Sequence, residues 1–82
     1  MANKRNIPLK KFKKFLEKEM GCTHIRTEGG HYIMAHNDLG RPFPIQSHVD
    51  PVPLFIVEGA RRWLGYASPE DKKKWNEMLR RL

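Results

Sequence analysis

Hydrophobic positions change period along this chain, and the changes mark its elements. Leu9, Phe12, Leu16 and Met20 recur at spacings of three and four, with Phe15 widening the stripe. Lys10, Lys11, Lys14 and Lys18 fall on the opposite side, so the pattern predicts an amphipathic helix with an apolar floor and a basic roof. Pro8 suits its first turn, where a missing N–H costs nothing, flanked by Asn6 or Ile7. Gly21 is placed to stop it. From Cys22 the period becomes two. Thr23, Ile25 and Thr27 share one face, and Cys22, His24 and Arg26 the other.

Glu28-Gly29-Gly30 reads as a turn, because glycine takes positive φ without steric cost. A second strand is expected over residues 31–36, with His31, Ile33 and Ala35 opposed to Tyr32, Met34 and His36. Asn37-Asp38-Leu39-Gly40 makes another turn. A third strand is expected over residues 41–48, with Phe43 and Ile45 on one face. Pro42 and Pro44 remove two ladder donors from it and place it at an edge.

Asp50-Pro51-Val52-Pro53 breaks the sheet, and a helix follows over residues 53–64. Ile56, Val57, Ala60, Trp63 and Leu64 form its apolar side, with Arg61 and Arg62 projecting elsewhere. Phe55 falls off that stripe and is expected to pack on a third helix or anchor a partner. The third helix starts at Ser68-Pro69-Glu70-Asp71, which supplies a cap, a first-position proline and acids in the first turn. Its apolar face is Trp75, Met78, Leu79 and Leu82. The order is helix, three antiparallel strands, helix and an additional helix, an α+β chain. A three-stranded sheet with two helices on one face is the architecture of the double-stranded RNA-binding domain, an analogy of fold alone.

Length limits what this fold can carry. Eighty-two residues make a single domain, and a chain of that size buries only about 60% of its unfolded surface. There is room for a shallow site but not for a deep substrate cavity. No glycine-rich strand-to-helix fingerprint suggests a dinucleotide, and no small-molecule cofactor is expected. Sixteen Lys+Arg against nine Asp+Glu give a formal net charge of +7, which favours polyanions: nucleic acid, an acidic membrane surface or an acidic protein.

Cys22 is the sole cysteine, so no internal disulfide forms and a cytosolic protein is expected. His24, His31, His36 and His48 lack compact structural-zinc spacing, and no metal is expected. No apolar run approaches the about 20 residues that span a bilayer. The first six residues are polar and expected to fray. They are basic but lack the apolar run of a signal peptide behind them.

The Gly29-Gly30-His31 turn carries the candidate chemistry. RNA brings its own nucleophile, the 2′-hydroxyl. Cleavage needs a base for its proton, an acid for the leaving 5′-oxygen, and positive charge near the phosphorane. Histidine suits either proton role because its ordinary pKa lies near neutrality. Lysine, arginine and backbone N–H groups suit the charge.

The run from Gly21 to His31 resembles the core signature of the HicA-type toxins, small ribonucleases of bacterial toxin–antitoxin pairs. In that family a helix ends in glycine and an apolar residue, a strand follows, and a Gly-Ser-His turn carries the catalytic histidine. The register here matches without a gap. Gly21 and Cys22 fit the helix end, Arg26 a commonly basic strand position, Gly29 the turn glycine and His31 the histidine. Phe43, Ile45 and His48 are similar to the third strand, which usually ends in Pro-x-His. The likeness covers residues 8–67. The chain departs from the pattern in three places: Gly30 replaces the usual serine, Gln46 stands where the third-strand proline is expected, and residues 68–82 extend beyond the common core.

The resemblance implies a metal-independent endoribonuclease acting on messenger RNA, with His31 as general acid or base. It also implies an antitoxin partner of the HicB type that covers His31 and is acidic at the contact. Candidate RNA contacts are Lys10, Lys14, Lys18, Arg26, Gly29, Gly30 and Tyr32. His48 is the second histidine to test, while His24 and His36 read as ordinary strand histidines. Two other functions stay open. One is a non-catalytic RNA-binding module of the same fold. The other is an interaction protein docking through the Trp75–Leu79 face of the third helix.

Overall fold

A computed structural model describes residues 7–82, so the expectations for the first six residues lie outside the described residues. The chain is α+β: α1 (Leu9–Lys18), β1 (Thr23–Glu28), β2 (His31–Ala35), β3 (Phe43–Gln46), α2 (Leu54–Trp63) and α3 (Pro69–Arg80). The sheet is antiparallel in the order β1-β2-β3, so β3 is the expected edge strand. It is shorter than its pattern predicted. Arg41 and Pro42 precede the ladder, and Ser47 and His48 already lie in the following turn.

One face of the sheet is covered by the helices. Met34 and Ile45 from that face are fully buried, with Tyr32 and Phe43 packed beside them. The other face carries Arg26, Glu28, His31, Ile33, Pro44 and Gln46, none of them buried. The α1 stripe is read correctly: Leu9, Phe12, Phe15 and Leu16 are buried, while Lys10, Lys11, Lys14 and Lys18 are exposed. Pro8 sits one position earlier than expected, at the N-cap, where it offers no side-chain acceptor. Asp50 supplies one from across the chain, its carboxylate accepting from Leu9 N–H at 2.9 Å. Val52 N–H donates to the Ile7 carbonyl at 2.9 Å, so the β3–α2 loop is tied to the start of α1 at two points.

Three expectations fail, each for a tertiary reason. Alternation along β1 breaks at a bulge between His24 and Arg26. The extra residue reverses the facing of everything after it. Thr27 therefore shares the His24 side, with 3.0 Å between its Oγ1 and the His24 Nε2, and Ile25 is left 47% exposed. Arg61 does not project outward but is buried. Its guanidinium donates to one Glu58 oxygen at 2.8 and 3.1 Å and to the Tyr66 carbonyl at 2.6 Å. Of the two expectations for Phe55, packing on α3 fails, since the ring is 68% exposed beside an open Leu54, and the role of partner anchor is left open.

The third helix closes the core. Ser68 Oγ accepts from Asp71 N–H at 3.1 Å, as the capping pattern predicted. Trp75 is fully buried, edge-on to Phe12 and Phe15 and against Tyr66, with Leu79 buried behind it. A Trp75–Leu79 docking face is therefore already spent inside the molecule. At the other end, Trp63 stacks on Phe43 at 5.3 Å and donates its indole N–H to the Arg41 carbonyl. A β carbon on Gly59 would meet the Phe43 ring at 3.3 Å, so that glycine lets α2 lie close to β3.

Candidate active site

Glycine builds the turn. Gly29 and Gly30 have φ of 57° and 78°, the successive positive values that a tight two-residue hairpin of the primed type needs. The hairpin sets Glu28 opposite His31 across β1 and β2. On the other side His31 is paired with Gln46 of β3. His31 thus opens the central strand on the uncovered face, with a carboxylate neighbour and an amide neighbour.

The His31 ring folds back onto the turn, with Nδ1 3.0 Å from the Gly29 carbonyl oxygen. A carbonyl only accepts, so Nδ1 carries the proton. In the neutral ring this leaves the lone pair on Nε2, which has no hydrogen-bond partner among the described residues. The arrangement is that of an oriented base, held by a backbone acceptor instead of a carboxylate.

His48 also reaches this turn. Its Cε1 lies 3.1 Å, and its Nδ1 3.5 Å, from where a β carbon on Gly30 would stand. Ser47 N–H donates to the Gly30 carbonyl at 2.8 Å, extending the β2–β3 pairing just far enough to bring His48 over the glycine. A side chain at position 30 would thus press against the histidine ring, which would have to give by a few tenths of an ångström.

The other sequence candidates separate. Arg26 is exposed on the His31 face and donates from Nε to Glu28 at 2.9 Å. Its terminal guanidinium nitrogens have no partner among the described residues, so it can still meet a phosphate. Tyr32 is on the opposite face from His31. It is edge-on to His24 at 5.1 Å, with the Lys13 ammonium 5.3 Å from its ring centre, which makes it part of the packing under the sheet. Lys10 borders a recess with Lys13, Tyr32 and Asp50. Lys14 and Lys18 instead line a groove of about 300 Å³ with Phe15, Arg81 and Leu82, between α1 and the end of α3. No residue of the histidine turn borders that groove, so the basic roof of α1 is divided between two places.

His24 and His36 have structural partners. His24 joins Thr27 and Tyr32 as described, and His36 Nδ1 accepts from Asp38 N–H at 3.1 Å within its turn. Among the described residues no group of three His, Cys, Asp or Glu side chains is placed to hold a metal ion, and no helix is long and apolar enough to cross a membrane. Cys22 is buried beneath the end of α1. Burial first, and the Glu17 carboxylate second, push its thiol up to about 11. Sequence reasoning missed Glu28 as the neighbour of His31, although a two-residue glycine turn already dictates that pairing.

No family model, curated protein or solved structure matches this chain. The reading of the site therefore rests on its own geometry and on the resemblance in its motif.

Proposed function

We propose that this chain is a metal-independent endoribonuclease of the HicA type, with a double-stranded-RNA-binding-domain-like fold and His31 as a proton-transfer group. One observation carries the reading: the His31 Nδ1–H is committed to the Gly29 carbonyl, which leaves Nε2 able to take or, once protonated, give a proton. The site is open and shallow, which suits a polymer laid across the end of the sheet better than an engulfed metabolite. The +7 charge draws a polyanion to it, and Arg26 stands on the same face to meet a phosphate. In the cell the substrate would be messenger RNA in the cytoplasm. An antitoxin of the HicB type, acidic at its contact, would silence the enzyme by covering the turn.

The test is cleavage of a labelled messenger RNA in EDTA by wild type beside His31→Ala, with folding of both checked by circular dichroism. Wild type cleaves, and the variant is slower by about 10²-fold or more. Folded wild type that leaves RNA intact, or equal cleavage by the two proteins, overturns the reading. Intact RNA bound in a steeply salt-dependent way would instead identify an RNA-binding module, for which Gly30 in the usual serine position already speaks.

A further inference from the structure

The structure places a second imidazole at the turn. His48 is exposed, yet its backbone is secured on both sides. On one side Ser47 N–H bonds to the Gly30 carbonyl. On the other, Asp50 accepts from the first amide of α1, and Val52 donates to Ile7. The ring between these anchors rests 3.1 Å from the Gly30 β position, one residue from His31. One Cα–Cβ bond and one peptide step then put it within about 8.5 Å of the His31 Cα. The two histidines are therefore neighbours at one turn, close enough for a single bound phosphodiester to be the group both would serve. A serine at position 30 would press on the ring and shift it by a few tenths of an ångström, so glycine at this position lets His48 lie close to the turn.

We propose that His48 is the general acid of the cleavage reaction and His31 its general base. This rests on the ribonuclease reading. His31 Nε2 takes the proton from the 2′-hydroxyl, and that oxygen forms a bond to phosphorus. The bond from phosphorus to the 5′-oxygen breaks as the His48 imidazolium gives this oxygen its proton. The products are a 2′,3′-cyclic phosphate and a free 5′-hydroxyl. Each histidine ends in the other's starting protonation state, and exchange with water resets both. No oxidant, reductant or metal enters the balance.

The assignment is tested with two RNA substrates, one ordinary and one whose scissile 5′-oxygen is replaced by sulfur. A thiolate leaves without being protonated, so it has no need of a general acid. His48→Ala, with His48→Asn beside it to keep a polar side chain, is expected to cleave ordinary RNA about 10²-fold or more slowly than wild type. The same variants should cleave the sulfur substrate within a few-fold of wild type. His31→Ala should be slow on both. Active wild type beside His48 variants that are normal on both substrates, or equally slow on both, overturns the assignment and leaves the ribonuclease reading standing. Wild type inactive on both substrates overturns the reading and the assignment together.

Discussion

The aromatic floor under α1 and the histidine turn at the end of the sheet are built on opposite principles. Phe12, Phe15 and Trp75 meet edge-on and stacked with almost no exposed surface, so each position is held by many neighbours at once. His31 and His48 stand at a turn whose shape comes from two glycines and a few backbone hydrogen bonds. Packing sets the first region, and permitted backbone torsions set the second. A small domain has too little interior to bury a catalytic group as well as a core. Here the proposed chemistry would sit at a rim whose geometry needs almost no buried surface. Stability and activity should therefore respond to different substitutions.

The largest effect should fall on the floor. Trp75→Ala removes the ring that joins α3 to α1 and is expected to cost about 3–5 kcal/mol in urea denaturation. That is a large share of what a domain of this size has. A loss below about 1 kcal/mol would show that α3 is not part of the core.

The turn should respond more mildly, and its two glycines unequally. Gly29 has nothing near its β position, so Gly29→Ala carries only the cost of positive φ, about 1–2 kcal/mol. Gly30→Ala carries a similar backbone cost and must also push the His48 ring aside by a few tenths of an ångström. It should lower RNA cleavage well beyond the Gly29→Ala effect, as measured on the same labelled RNA. Equal activities would separate His48 from the site.

Confined to alkaline solution is a change with pH at Cys22. Its thiol is raised to about 11 from an ordinary value of 9.0, so the unfolded chain loses that proton first. The contribution of this group is intact below about pH 9 and is lost as pH rises toward 11. Urea midpoints measured across that window should fall more for wild type than for Cys22→Ala. Native protein should also react slowly with a thiol reagent at neutral pH.

Much of this architecture is written locally in the chain. The three-and-four spacing of α1, the glycine pair and the Ser68-Pro69 cap each depend on residues a few positions apart, and each has its expected structure. The candidate base is equally local, because His31 follows directly from the turn that holds it. The remaining features join distant segments. Asp50 caps a helix 41 residues away, and Trp63 reaches back to the Arg41 carbonyl. Arg61 left its expected place because a period assigns a face but does not say which neighbour covers it. By itself the sequence determined the elements, the edge position of β3 and the histidine at the turn, since propensity and torsion act over a few residues. Only the tertiary structure decided the bulge that turns Arg26 to the His31 face, the α3 closure of the core and the placing of His48 over Gly30, since each requires two remote segments to meet.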